Sequence, residues 1–189
     1  MATEVGLCSK ALYMIGGDPI TSLDDETRRA NLCKAFLPDI VDAVLRAYPW
    51  NCARTRAELA RAAGSPATGG DYDWTYHYTL PADPYCLWVP KQLNQRLSYV
   101  IEGRKLLSDE ASVTIAYICR QEVSLFDSLL YETVAARLAS ELAFPITGSV
   151  TLPGTMWKLY ELKLGEARTQ DGMEGNIPGF ASNALTEVR

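Results

Sequence analysis

Histidine is almost missing from this sequence: His77 stands alone among 189 residues. A zinc site needs several His or Cys ligands converging on one ion, and nothing near His77 in the sequence supplies them. Lying between Tyr76 and Tyr78 in an expected strand, His77 reads as a solvent-facing or hydrogen-bonded residue ahead of a general base. CxxC pairs are also missing, because Cys8, Cys33, Cys52, Cys86 and Cys119 are widely spaced. An odd cysteine count and the lack of a secretion-type opening point to reduced, partly buried thiols. The chain is therefore expected to be soluble and intracellular when made. A Cys–His nucleophile pair has no positive support in the sequence.

Long apolar runs are missing too. None approaches the ~20 residues that a membrane helix requires. No glycine-rich loop leads into Lys-Ser or Lys-Thr, since Gly16 and Gly17 run into Asp18 and Pro19, and no dinucleotide fingerprint is present. Asp24, Asp25 and Glu26 are consecutive, so on a helix they point in different directions; negative charge at a helix N-terminus explains them better than a metal cluster. A basic stripe is the last absence. Formal net charge is −5 and the sequence pI is about 5.0, which argues against a surface built to wrap nucleic acid. Lys and Arg do not occur from Tyr72 to Pro90, so the aromatics there could not hold single-stranded bases by neutralising phosphates. No catalytic residue, cofactor or metal is expected, and the chain is not expected to be an enzyme.

The residues that are present divide into two textures. With 48% hydrophobic and 22% charged residues, the chain has the composition of a globular protein of one domain. Four helical stretches flank a β-rich middle. The first spans about Glu4 to Ile15, with Val5, Cys8, Ala11, Leu12 and Ile15 on one stripe, and Gly16-Gly17 stops it. The second is capped by Ser22 or Asp24 and carries Cys33, Phe36, Leu37, Ile40, Val41, Val44, Leu45 and Tyr48 at helical spacing. Pro38 should kink or split it, and it ends before Pro49.

From Arg54 the texture changes. Residues 54–60 suit a strand or a helix, and alanine favours the helix on propensity alone. Residues 64–70 read as a loop. Tyr76–Leu80, Cys86–Val89, a hairpin Tyr99–Glu102 and Arg104–Leu107 around Gly103, and Val113–Ile118 read as strands. A third helix, Ser128 to Phe144, places Leu130, Val134, Leu138 and Leu142 by fours and ends at Pro145. Ser149 or Thr151 caps a fourth, with Pro153 in its first turn and Met156, Trp157, Tyr160, Leu164 and Ala167 buried. Beyond Gly172 the chain reads as a tail. The fold class is α+β: a bundle of about four helices, two N-terminal (1–51) and two C-terminal (124–171), with a small antiparallel β unit inserted (52–123) and an extended tail (172–189).

The order of short motifs resembles a known family. Leu7 to Gly16 followed by Asp18 to Asp24, then Tyr48 to Asn51, Leu80 to Asp83, Glu102 to Leu107, Ala136 to Ala139 and Pro145 to Gly148, are similar to the tail tubular protein A family of short-tailed phages. The likeness runs up to about Asp171, and its weight lies in order and spacing. It implies a virion structural protein at the neck, a head-to-tail adaptor. Such adaptors usually form a dodecameric ring between the portal protein and the tail nozzle or tail tube, with double-stranded DNA passing through the lumen. It also implies a helical bundle with a β insertion, no catalytic residues and no membrane.

A closed ring needs two different faces on each subunit. The expected pair is Arg28, Arg29, Lys34, Asp42 and Arg46 on the second helix against Glu161, Glu166 and Asp171 on the fourth. The tail, through Asn176, Ile177, Pro178, Phe180, Leu185 and Arg189, is the expected portal contact. The competing readings are another neck or stopper protein, a small DNA-binding regulator, and a cysteine-dependent enzyme.

Overall fold

A computed structural model describes residues 2–62 and 74–174. It is mixed α+β, with four helices and two antiparallel three-stranded sheets among the described residues. The expected loop at 64–70 lies outside the described residues, as does the expected portal contact from Asn176 to Arg189.

Helix α1 covers Glu4–Met14, and the Thr3 hydroxyl caps it by accepting from the Gly6 N–H at 3.1 Å. Leu7, Cys8, Ala11 and Leu12 are buried on its inner face. Helix α2 covers Arg28–Arg46 and is capped by Thr27, whose hydroxyl accepts from the Ala30 N–H, so neither Ser22 nor Asp24 is the cap. The reason is local competition. The Asp25 carboxylate accepts from the Thr21 N–H at 3.0 Å, the Thr21 hydroxyl at 2.9 Å and the Ser22 N–H at 3.0 Å, folding residues 21–25 into a turn that delays the helix. The acidic triplet therefore precedes α2 without sitting in its first turn.

Pro38 does not split α2, which stays helical through it. Its ring lies on the exposed side, where the carbonyl freed by the missing N–H can turn to water. Trp50 is fully buried beyond the helix end, and its indole N–H donates to the Val44 carbonyl at 2.9 Å.

Residues Arg54–Glu58 form strand β1, not a helix. They pair antiparallel with β6, Thr114–Cys119, from Arg54 opposite Ile118 to Glu58 opposite Thr114, and this pairing overrides alanine's helix propensity. Strand β3, Cys86–Trp88, lies on the other side of β6. The second sheet has the order β2-β5-β4, from Tyr76–Thr79, Lys105–Ser108 and Val100–Glu102.

Residues Ile115 to Cys119 are all buried because β6 has a core on each face. Ile118 joins Leu87 in the helical core, whereas Ile115, Tyr117 and Cys119 join Tyr78 and Leu106 in a second core between the sheets.

Helix α3 covers Ser128–Thr147, and the Asp127 carboxylate caps it by accepting from the N–H groups of Leu129 and Leu130 at 2.7 and 2.8 Å. It continues through Pro145 and ends instead at Gly148, whose φ of 71° only glycine adopts without strain. Helix α4 covers Leu152–Glu174, past the tail boundary expected at Gly172. Gly172 packs close to Tyr48: a Cβ there would stand 3.3 Å from the Tyr48 hydroxyl, which would have to shift by a few tenths of an ångström. Helix α3 packs on α1, α2 and α4, burying Leu130, Val134, Leu138 and Leu142. Among the described residues, no helix is long and apolar enough to cross a membrane.

Candidate interaction surfaces

The helix faces expected to form a subunit interface divide into committed and open groups. Arg29 pairs with Asp18 at 2.5 Å, and Lys34 pairs with Asp24 at 2.6 Å. Asp42 accepts two hydrogen bonds from Arg120, which lies 78 residues away in the sequence. These three expected interface residues are tied within the chain. Arg28 and Arg46 are exposed on α2 and make no ion pair among the described residues. Glu161 and Glu166 have the same standing on α4. Helices α2 and α4 both pack on α3, so each keeps an outward side.

Asp171, expected on the interface, is buried within the chain. Its carboxylate accepts from the Asn51 backbone N–H at 3.0 Å, while the Asn51 side-chain amide donates to the Asp171 carbonyl at 2.7 Å. Burial pushes the Asp171 carboxyl above the ordinary range. Arg168, one turn earlier, donates to the Ala47 carbonyl at 2.7 Å, so these contacts fasten the end of α4 to the end of α2. In the sequence Asp171 resembled any polar helix residue. Only its spacing from buried Tyr160 and Ala167 hinted that it turns inward.

The fourth helix exposes more apolar surface than its expected stripe allowed. Met156, Tyr160 and Ala167 are buried, but Trp157 is 42% exposed and lies under the Arg137 guanidinium, 4.6 Å from its ring centroid. Trp157 falls to the side of the stripe, and the cation–π contact covers one of its faces. Leu162 and Met173 also project outward.

The groups that enzymatic chemistry would need are differently placed. His77 is buried in β2 opposite Leu107. No cluster of three or more His, Cys, Asp or Glu suited to a metal occurs among the described residues. Burial pushes the Cys52 thiol up to about 12 and the Cys86 thiol up to about 11, and it raises Cys119 as well. A hydrogen bond with Cys33, followed by burial, raises Cys8. Thiols held this high carry little thiolate at neutral pH, and the thiolate is the nucleophile; the hydrogen bond with Cys8 shifts Cys33 the other way, downward.

No family model matches the chain, and no curated protein matches it.

Proposed function

We propose that this protein is a head-to-tail adaptor of a tailed phage, a ring subunit that acts by gripping neighbouring copies, the portal protein and a tail nozzle or tail tube protein. The observation that carries the reading is the ordered motif series from Leu7 to Gly148, which resembles tail tubular protein A. The open charges support it physically: Arg28 and Arg46 on α2, Glu161 and Glu166 on α4. Head-to-tail closure joins two unlike faces, and the open charge is net positive on α2 (Arg28 and Arg46 against Asp39) and net negative on α4 (Glu161, Glu166 and Glu174 against Lys158), which provides such a pair. Trp157, Leu162 and Met173 add apolar area to the α4 face.

In this reading the four helices act as one bundle and residues 52–123 as its β insertion. The segment after Glu174 is the portal contact, through Asn176, Ile177, Pro178, Phe180, Leu185 and Arg189. Double-stranded DNA passes through the lumen with no sequence-specific contact, which suits a chain of net charge −5. The work is binding, without catalysis or a cofactor, at the neck of the virion.

Electron microscopy of the purified chain mixed with portal rings tests this. The expected image is a stacked, centrally perforated assembly with the chain's ring beneath the portal. Particles that stay single beside bare portal rings would sink the proposal. A ring that binds only below a different adaptor would make the protein a stopper. Retarded DNA in a gel shift that weakens with salt would make it a regulator.

A further inference from the structure

A cleft of about 640 Å³ runs between the two sheets. One wall takes Leu87, Trp88 and Val89 in succession, and the other takes Tyr99, Val100 and Ile101 in succession. Neighbouring residues of a strand point to opposite faces, so a cleft touched by consecutive residues meets the strand edge-on. The sheet orders agree, since β3 and β4 are each the outer strand of their sheet.

The edges differ in how their backbone groups are satisfied. On the β3 side, Arg104 donates to the Cys86 carbonyl at 2.8 Å and the Tyr99 hydroxyl donates to the Val89 carbonyl at 3.0 Å. Side chains thus take the place of a neighbouring strand there. Val100, Ile101 and Glu102 pair with β5, and among the described residues they make no hydrogen bond on their other side. An open edge of this kind is a template for an added strand. Val100 and Ile101 leave large apolar side chains exposed beside it.

Charge narrows the choice of occupant. Arg46, Lys91 and Arg104 line the cleft, and the carboxylate of the β4 edge, Glu102, is not among its lining residues. Arg46 and Lys91 are outside the ion pairs of the described residues, so both can meet an incoming anion. Stacked bases fit less well. Arg104 and Arg120 already lie over the Tyr85 ring, at 4.1 and 5.0 Å from its centroid.

We propose that the β4 edge and its cleft bind an extended segment of a partner protein, apolar at alternate positions and acidic between them, as an added strand. The apolar side chains would share one face of the added strand and lie against Ile101, while the carboxylates on its other face meet Arg46 and Lys91. The site rests on the sheet edges and the cleft, not on the motif series; it shares Arg46 with the proposed α2 ring face, so its test uses Lys91, which is not among those ring-face residues.

Fluorescence polarisation with the full chain and a labelled Thr-Glu-Val-Glu-Val-Glu-Thr peptide tests this. Saturable binding is expected, about tenfold weaker for Lys91→Glu in a protein whose circular dichroism is unchanged. Peptides N-methylated on one or the other alternate set of amides should separate, one set losing binding and the other keeping it, because only one set faces β4. Four results would overturn the proposal: no binding of the parent peptide, equal binding of both methylated peptides, equal binding of a Lys-for-Glu peptide, or displacement by oligothymidylate.

Discussion

Glu132 on α3 is held between two ammonium groups, Lys10 of α1 at 2.8 Å and Lys163 of α4 at 2.5 Å. The side-chain hydrogen bonds from these lysines draw its carboxyl down to about 2. A carboxylate whose folded pKa lies below its unfolded value stabilises the fold above the unfolded value, and that contribution fades as pH falls towards the folded one. Glu132→Gln should therefore cost about 1 kcal/mol at neutral pH, a value limited by solvent screening of a partly exposed group. The gap in urea midpoint between the two proteins should close as pH falls from about 4.5 towards about 2. A gap that stays constant with pH would exclude the ion pairs as its source.

Asp171 has the opposite sign. Its carboxyl is raised by burial, so the native state holds the proton more tightly than the unfolded chain does, and stability is lost as pH rises through the raised value. Asp171→Asn keeps an acceptor for the Asn51 N–H and removes the buried charge; it should match or exceed the wild-type midpoint at pH 7. Asp171→Ala leaves that N–H without its acceptor and should lose roughly 1–2 kcal/mol. Chemical denaturation of the pair separates the hydrogen bond from the charge.

Among the elements, Asn94 does work that a strand would otherwise do. It is buried, accepts from the Ala116 N–H at 2.9 Å, and donates to the carbonyls of Ala116 and Pro90 at 2.7 and 2.9 Å. Those bonds extend the partner edge of β6 just past the short β3. Asn94→Ala would orphan the Ala116 N–H and carbonyl, while the Pro90 carbonyl keeps the Leu93 N–H, and should lower stability by roughly 2 kcal/mol, readable as a lower melting temperature.

The same contrast explains which elements were legible in the sequence. Strands β2, β3, β4 and β6 announce themselves by β-branched and aromatic residues between turns, β5 by its place in the hairpin around Gly103, and α1 and α3 by apolar residues at helical spacing. The bonds that set the ends of α2 and fix β1 join groups far more specific than composition. Asp25 had to choose the Thr21–Ser22 turn over the helix, and Arg54–Glu58 had to meet β6, some sixty residues on. Pro38 and Pro145 were misleading for one reason: each interrupts a single backbone bond, and the packing of the rest of the helix outweighs that loss. The candidate surface was half legible. Charge type marked Arg28, Arg46, Glu161 and Glu166, but whether a charge is already spent inside the chain depends on partners such as Arg120 and Asp18.

At the scale of the whole molecule, the proposed ring makes a demand on charge that no single subunit reveals. Each copy exposes Arg28 on α2 and Glu161 on α4, so in the proposed ring every interface would set a cation against an anion. Arg28→Glu gives interfaces with two anions, and Glu161→Arg gives interfaces with two cations. Like charges brought together weaken association, by about 1 kcal/mol at each rim contact, and slow it further at low salt. Either variant alone should then form fewer rings on portal particles than the wild type. Mixed in equal amounts the two should recover, because strict alternation opposes Glu at position 28 to Arg at position 161, and Arg28 to Glu161, around the circle. Alternation closes only with an even number of subunits, a condition that a ring of about twelve satisfies. Native mass spectrometry of the mixture should show equal numbers of the two variants per ring. Rings of random composition, or single variants that assemble as well as wild type, would remove Arg28 and Glu161 from the interface.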